Sequence, residues 1–421
     1  MSASAALTIE QGLARVAAIV GQEHVRLGGE TIVAAPRDTE QVAEVMRFAH
    51  ANSLAVMPSG GSTKLGWGNP VSADVELSME CLSEVKEHAW QDMTCTVQAG
   101  CHWGEMQARL RQHGQMVALD PLWPERATVG GVVATNDSGA LRLKYGGLRD
   151  LIIGMTIVLA DGTIARTGGK VVKNVAGYDL HKLMTGSFGT LGMIAEVNFR
   201  LHPAEEHART WTAAASGTAP SDVSLFAKPL LAMMDSQITP SCVQLRVAGR
   251  ECGQECALDV RIAARPECLG EYADRIGRVC NTLAVAESDH GVWQARQRLF
   301  EDRDSVVLKV SVLPGEICPV LSELQRWASD KIDMSAVACA TGLMTVSMKP
   351  ATEAVMTIIA RLRTRVGSAG GSVVALHVPD ALRGRIDVWG PDPDALPLMR
   401  EIKRRFDPGR ILNPGRFVGS I

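Results

Sequence analysis

The chain has little excess of charge. Its 43 lysines and arginines face 46 aspartates and glutamates, for a net charge of -3. That leaves no basic footprint for nucleic acid or for an anionic membrane surface. It also lacks a long apolar run. The longest, at residues 151–160, falls well short of the ~20 residues that span a bilayer. The opening MSASAALTIEQGLARVAAIVGQ has no charged leader, and polar and acidic side chains interrupt its apolar positions. It reads as an amphipathic helix rather than a signal peptide. These absences predict a cytoplasmic protein, peripheral at the inner face of the cytoplasmic membrane only through a partner complex.

Close cysteine pairs are missing too. There are ten cysteines, none in a C-x-x-C, and the only close pair is Cys252 with Cys256. Iron–sulfur and zinc sites need tighter clustering. The cysteines therefore read as reduced, mostly structural thiols, and no metal site is expected. The chain has neither the G-x-x-x-x-G-K-[ST] spacing of a Walker loop nor a G-x-G-x-x-G fingerprint.

What is present is a set of glycine-rich turns on an α/β framework. A length of 421 residues makes two domains the natural expectation. The focal stretch is 119–147, LDPLWPERATVGGVVATNDSGALRLKYGG. It combines Gly pairs, a small-residue apolar run and several hydroxyl and amide side chains. Gly permits close approach of backbone to a ligand, and Ser, Thr and Asn supply donors without crowding.

A β-α-β unit precedes it. The strand is 31–35, the helix begins at Asp38 or Thr39 and runs to 50, and Val42, Val45, Met46 and Ala49 share one face. A second strand, 54–57, leads into Pro58, Ser59, Gly60, Gly61, Ser62, Thr63 and Lys64. Successive N–H groups in such a turn suit a pyrophosphate, and Lys64 adds a charge. An ordinary Gly-rich turn would look the same. Strands are expected at 74–78 and 94–99, then a helix at 101–113. There Trp103, Met106 and Leu110 form a core stripe rather than a cofactor box. His102 and His113 read as surface residues.

After the focal stretch, Arg149 and Asp150 read as a structural ion pair. Residues 151–159 form a buried strand, Asp161-Gly162 a hairpin turn and 163–167 the return strand. The third piece, 168–194, holds Lys173-Asn174, Gly177-Tyr178-Asp179, a short helix at 180–183 and GSFGTLG at 186–192. Glycines at that density suit neither helix nor strand. A strand at 193–201 closes the unit.

Residues from about 206 to 390 alternate strand and helix. Helices are expected at 224–235, 267–284, 316–328 and 352–366. Strands are expected at 242–247, 257–264, 306–313, 336–340, 343–348 and 372–377. The pattern reads as two rounds of a β-α-β-like arrangement.

PSGGSTK, ATVGGVVATNDSG, YGGLRD, KNVAGYDL and GSFGTLGMI stand in this order, with the strand and turn ending ADG among them. Together they resemble the FAD-binding domain of the vanillyl-alcohol-oxidase and p-cresol-methylhydroxylase type. The C-terminal RFDPGRILNPGRF, 405–417, resembles the tail of the glycolate- and D-lactate-oxidising branch. Within it the wording is most similar to the E subunits of bacterial glycolate oxidases. The resemblance implies an α+β fold: a two-part FAD-binding domain (1–205), a smaller α+β cap domain that covers the substrate (206–395), and a segment (396–421) returning to the FAD domain.

It also implies residue roles. Pro58 and the loop from Ser59 to Lys64 would hold the FAD pyrophosphate. Asp120, Pro121, Thr128, Gly130 and Gly131 would follow the ribityl chain and diphosphate. Thr135, Asn136, Ser138 and Gly139 would approach the isoalloxazine and diphosphate, and Tyr145 of YGGLRD would join this set. Gly189, Gly192 and Ile194 would meet the adenine end, while Asn413, Pro414 and Arg416 would bring the tail back to the flavin.

The implied reaction is oxidation of a small 2-hydroxy acid, glycolate to glyoxylate, by hydride transfer to flavin. The implied partners are a homologous FAD-binding subunit and an iron–sulfur subunit of a glycolate oxidase complex. Lys309 and His377 are the catalytic candidates, and Arg246 and Arg250 are further candidates for a carboxylate contact. Two departures bear on catalysis. Relatives acting on D-2-hydroxy acids carry a metal-binding H-H-G-type pair that this chain lacks, and several carry Glu or Gln where this chain has Phe188. They put independent catalysis in doubt and favour one alternative, an FAD-binding electron-transfer or assembly subunit beside a homologous catalytic subunit, whereas the cap domain favours catalysis. A stand-alone D-lactate or sugar-acid dehydrogenase is a third reading.

Overall fold

The computed structural model describes residues 7–169, 178–215, 222–250, 255–328 and 331–421. Lys173, Asn174 and Gly177 of KNVAGYDL, and Cys252, lie outside the described residues. The chain divides into two compact units. The first takes the described residues up to Asp137, then Gly147–Ala204 and Asp392–Ile421; the second takes Ser138–Gly146 and Glu205–Pro391.

The first unit holds two main sheets and a short antiparallel pairing of Gln115–Met116 with His202–Pro203. In one, the expected β-α-β frame consists of strand Thr31–Ala34, helix Thr39–Ala51 and strand Val56–Ser59. The Asp38 carboxylate caps the helix by accepting the Gln41 N–H at 2.7 Å. Val42, Ala43, Val45, Met46 and Ala49 are buried along one helix face. Strand Val75–Ser78 lies parallel to both Thr31–Ala34 and Val56–Ser59 and separates them. Strand Val25–Gly28, not expected from the sequence, pairs antiparallel with Thr31–Ala34 at the edge. Three of its four residues are exposed, so it carries almost no hydrophobic signal.

The other sheet is antiparallel, in the order Val85–Ala89, Thr94–Gln98, Met193–Arg200, Ile152–Val158, Ile164–Gly168. Helix Trp103–Arg111 packs Trp103, Met106 and Leu110 inward. The Trp103 ring meets Phe199 edge to face at 5.9 Å. That stripe is core, as its spacing predicts. Burying each such side chain contributes about 1.5–3 kcal/mol.

The second unit corrects the expected alternation of β-α-β rounds. It is one eight-stranded sheet in which every pair is antiparallel. The order is Ala284–Ser288, Ala208–Ala214, Cys256–Ala263, Cys242–Val247, Asp333–Cys339, Leu343–Lys349, Val306–Ser311, Ser372–His377. Alternating strands and helices do not require parallel pairing when a helix returns the chain to a non-adjacent position. The helix expected to reach residue 284 ends at Val279, and Ala284 opens an edge strand. Both outer pieces, Ala208–Ala214 and Ala284–Ser288, had been missed.

One face of this sheet is apolar. Val243, Leu245 and Val247 join Val306, Leu308 and Val310 in a core that includes Leu321 and Leu324 of helix Ile317–Ala328 and Leu362 of helix Glu353–Gly367. The alternate residues, Gln244, Arg246, Asp259, Lys309 and Thr345, occupy the opposite face. Among the described residues no helix is long and apolar enough to cross a membrane.

Candidate cofactor pocket and polar sheet face

Six separate stretches of the first unit wall one pocket, enclosing about 730 Å³ of space with open solvent included. The first wall is the loop after strand Val56–Ser59. Pro58, Ser59, Gly60, Gly61, Ser62, Thr63 and Lys64 all line it, as the sequence expects. Ser62 has φ 54°, a left-handed conformation that turns the chain inside the loop. Gly61 is required by chain packing, because a Cβ there would collide with the carbonyl of Arg126.

The second wall is helix Val129–Thr135. Thr128 caps it, its hydroxyl accepting the Gly131 N–H at 3.4 Å, and Thr128, Gly130, Gly131 and Thr135 line the pocket. The two glycines differ. A Cβ on Gly130 would approach the Ala99 methyl at 2.9 Å, so Gly130 serves the packing of helix on strand. A Cβ on Gly131 would meet only the Thr128 hydroxyl, at 3.3 Å. Gly131 is thus the glycine whose missing side chain leaves room for a ligand.

The third wall is the 186–194 turn. Gly189 has φ 70° and Phe188 φ 55°. Gly189, Gly192 and Ile194 line the pocket with Phe188 and Met193. The Phe188 N–H donates to the Ala134 carbonyl at 2.8 Å, tying this turn to the second wall.

The C-terminal tail supplies the fourth wall through Asn413 and Arg416. Leu412 bridges in parallel to Val56. The tail is clipped by Lys403, on the helix Leu396–Phe406 that the sequence had not signalled. The Lys403 ammonium bonds the Asp407 carboxylate at 2.7 Å, the Thr190 carbonyl at 2.8 Å and the Leu412 carbonyl at 2.8 Å. Burial lowers the Lys403 pKa, and the Asp407 charge opposes that shift. Met79 and Ala99, at strand ends, complete the enclosure; no sequence signal marks them, since it is backbone position that brings them there.

The remaining expected cofactor residues lie elsewhere. Asp120, Pro121 and Asn136 belong to the first unit but are not among the pocket-lining residues. Asn136 ends the glycine helix with φ 49°. Ser138, Gly139 and Tyr145 belong to the second unit. There the Tyr145 hydroxyl donates to Glu205 at 2.8 Å, and Arg261 approaches the same carboxylate at 3.1 Å. Burial, and next the Glu205 bond, raise the Tyr145 pKa.

The donor set fits FAD. Two cations line the pocket and, among its lining residues, no carboxylate does. Asn413 is 2% exposed. Its amide N–H donates to the Phe188 carbonyl at 2.7 Å, while its Oδ1 has no partner among the described residues. A buried acceptor left open in this way is costly unless a ligand donor meets it.

On the polar sheet face, Arg246 does not stand ready for a substrate. Asp259 holds it in a fork, Nε to Oδ2 at 2.6 Å and Nη2 to Oδ1 at 2.9 Å. Gln244 and Thr212 donate to the same fully buried carboxylate. The backbone N–H of Arg250 donates to Asp333. Lys309 sits directly across from Thr345. Arg296, which the sequence had not singled out, donates from Nε to the Thr345 hydroxyl at 3.3 Å. His377, at the end of the last strand, faces the Arg303 carbonyl through Nε2 at 2.9 Å. Among the described residues no group of three His, Cys, Asp or Glu could hold a metal ion.

Comparisons with known proteins agree with this geometry. The FAD binding domain matches residues 31–168, and the C-terminal domain of FAD linked oxidases matches residues 335–417. Glycolate oxidase subunit GlcD of Bacillus subtilis is 26% identical over 92% of this chain and 89% of its own length. D-2-hydroxyglutarate dehydrogenase of Bos taurus is 28% identical over 93% of this chain and 77% of its own. D-lactate dehydrogenase of Archaeoglobus fulgidus is 28% identical over 93% and 92%. The fold is that of p-cresol methylhydroxylase, at TM-score 0.75 and 15% identity over 97% of this chain and 96% of that one. The chain is therefore an FAD-dependent oxidoreductase, built from a p-cresol-methylhydroxylase-type FAD-binding domain and the C-terminal domain of the FAD-linked oxidases.

Proposed function

We propose that the chain oxidises a small 2-hydroxy acid, with glycolate to glyoxylate as the leading case, as the FAD-binding subunit of a heteromeric complex. One observation carries the reading. A pocket walled by Gly61, Gly131 and Gly189, with an open acceptor at Asn413, occurs in a chain that aligns over more than nine-tenths of its length with proteins named for glycolate, D-2-hydroxyglutarate and D-lactate. FAD, when bound, supplies the hydride acceptor; the protein supplies binding, orientation and electrostatics.

Lys309 and Arg296, bracketing Thr345, present two cations on one sheet face and suit a substrate carboxylate. His377 is the candidate base. Its Nε2 meets a carbonyl, which accepts only, so that nitrogen carries the proton and Nδ1 is the acceptor. A partner carrying iron–sulfur clusters takes the electrons onward, beside a homologous FAD-binding subunit. At the membrane the chain depends on that complex.

A second reading, an FAD-binding electron-transfer or assembly subunit, draws support from the closure of Arg246 by Asp259. The purified chain separates the two. Loaded with FAD under anaerobic conditions, it is mixed in turn with glycolate, D-lactate and D-2-hydroxyglutarate. Bleaching of the flavin band by glycolate supports the first reading. Preferential bleaching by D-lactate points to a stand-alone dehydrogenase. A bound flavin that none of the three bleaches rejects catalysis by this chain.

A further inference from the structure

The tail that forms the fourth wall is held by two residues that do not line the pocket. Lys403 stands in the last turn of helix Leu396–Phe406, and Asp407 caps that helix. Their side chains are 4% and 0% exposed. The Lys403 ammonium directs its three N–H groups to the Asp407 carboxylate and to the Thr190 and Leu412 carbonyls. The carboxylate in turn accepts the Ile411 N–H at 3.1 Å and the Leu412 N–H at 2.8 Å. On its other edge the tail bonds to Val56. The Val56 N–H donates to the Ile411 carbonyl at 2.7 Å, and the Asn413 N–H donates to the Val56 carbonyl at 2.9 Å. The tail is thus gripped between the strand that feeds the glycine loop and the ion pair.

The ion pair also reaches the third wall. Thr190 lies in the 186–194 turn, and its hydroxyl donates to the Ser187 carbonyl at 2.7 Å. The carbonyl that Lys403 engages therefore belongs to a turn already folded on itself. One residue past Leu412, Asn413 has φ 43°, and its amide N–H crosses to the Phe188 carbonyl of the same turn. Its Oδ1 is the buried acceptor left open at the pocket. Well-packed apolar side chains hold a fold as well as a buried ion pair does. What the charges add is direction, because short charge-assisted bonds fix the register of the backbone they meet.

We propose that Lys403 and Asp407 are positioning residues for the cofactor. They set the register of the tail against the third wall, so that the open Oδ1 of Asn413 stands where a hydrogen-bond donor of the ligand meets it. Cofactor binding and tail docking are thereby coupled. The inference rests on the FAD reading of the pocket and deepens it. A docked tail receives the cofactor directly. A loosened tail must be docked by the cofactor, and the apparent affinity falls with the docked fraction.

Two measurements test this. FAD titration of the apoprotein reports binding, and trypsin cleavage after the exposed Arg410 reports docking. Ile411 behind that bond is 3% exposed, so the cut requires the tail to lift. In the wild-type protein, saturating FAD is expected to slow this cut more than it slows cuts elsewhere. Lys403→Met with Asp407→Leu removes both charges together, which strands neither. That double variant is expected to be cut faster after Arg410 without FAD and to bind FAD about 10-fold more weakly. Saturating FAD is expected to restore its resistance. Asn413→Gly suits the left-handed backbone. It is expected to weaken FAD binding about 10-fold in the wild-type background and to add little in the double variant. Asp407→Asn, with the same signs, decides the matter if the double variant does not fold. Glu401→Gln breaks the surface pairs of the same helix with Arg404 and Arg405 and is expected to change neither readout.

A wild-type tail that FAD protects no better than other tryptic sites overturns the proposal. So does a folded double variant that binds FAD within about twofold of wild type, or one that binds weakly without faster tail cleavage. Additive losses from Asn413→Gly and the double variant overturn the route through Asn413. Wild-type apoprotein that takes up no FAD would instead sink the FAD reading, which the cleavage of the FAD-free tail does not test.

Discussion

The two units use polar groups in opposite ways. In the first, the pocket is lined by glycines, Gly60, Gly61, Gly131 and Gly189, of which Gly131 alone lacks a side chain where there is space and the other three are closed in by protein neighbours. Its fixed charges, Lys64 with Asp137 and Lys403 with Asp407, are turned into the protein. In the second, the polar sheet face is made by what is added: Arg246, Asp259, Gln244, Thr212, Lys309 and Arg296. Much of that set is also engaged internally. The difference teaches that a polar residue on a functional face is not thereby a ligand contact, and that a glycine in a ligand loop is not thereby there for the ligand. Gly61 is required by the Arg126 carbonyl; Gly131 is not required by any such neighbour.

Substitutions can break this comparison. The largest effect on stability is expected at Asp259, whose carboxylate gathers Arg246, Gln244 and Thr212. Asp259→Asn leaves a half-buried guanidinium without its counter-charge, which costs about 3–5 kcal/mol and is read by denaturant unfolding. A neutral result would free Arg246 for substrate and revise the reading of that face. Next comes Lys309→Met, expected to lower kcat/KM for glycolate about 100-fold, or roughly 2.7 kcal/mol, with the melting temperature little changed. Unchanged kinetics would remove Lys309 from the site. Gly61→Ala is expected to destabilise the apoprotein by about 1–3 kcal/mol, since backbone must move. A fully stable Gly61→Ala would show that the loop is looser than its packing indicates.

How legible this was depends on the type of signal. The β-α-β frame, the core stripe of Trp103, Met106 and Leu110, and the hairpin at Asp161-Gly162 followed from periodicity and turn chemistry, and they formed. The edge strands Val25–Gly28 and Ala284–Ser288 did not follow, because they expose most of their side chains and carry no apolar pattern. At the pocket, most of the residues marked by the motifs do converge. Ser138, Gly139 and Tyr145 stood in the same run of sequence, yet the chain passes into the second unit after Asp137. No composition change marks that crossing. The pairing of Lys64 with Asp137, and the bond from Arg416 to the Lys64 carbonyl across about 350 residues of sequence, were likewise invisible.

The contrast between Gly130 and Gly131 gives the most direct test of the central claim, that this pocket holds the flavin. Gly131→Val places a Cβ 3.3 Å from the Thr128 hydroxyl and meets no backbone, so the better helix propensity of Val offsets a small shift of that cap and the melting temperature is expected to change little. The same side chain occupies ligand space. Flavin content of the purified protein, read from its visible spectrum after saturation with FAD and gel filtration, is the measurement. The account predicts a folded Gly131→Val protein with its flavin lost. A folded Gly131→Val protein that retains a full complement of FAD would contradict it.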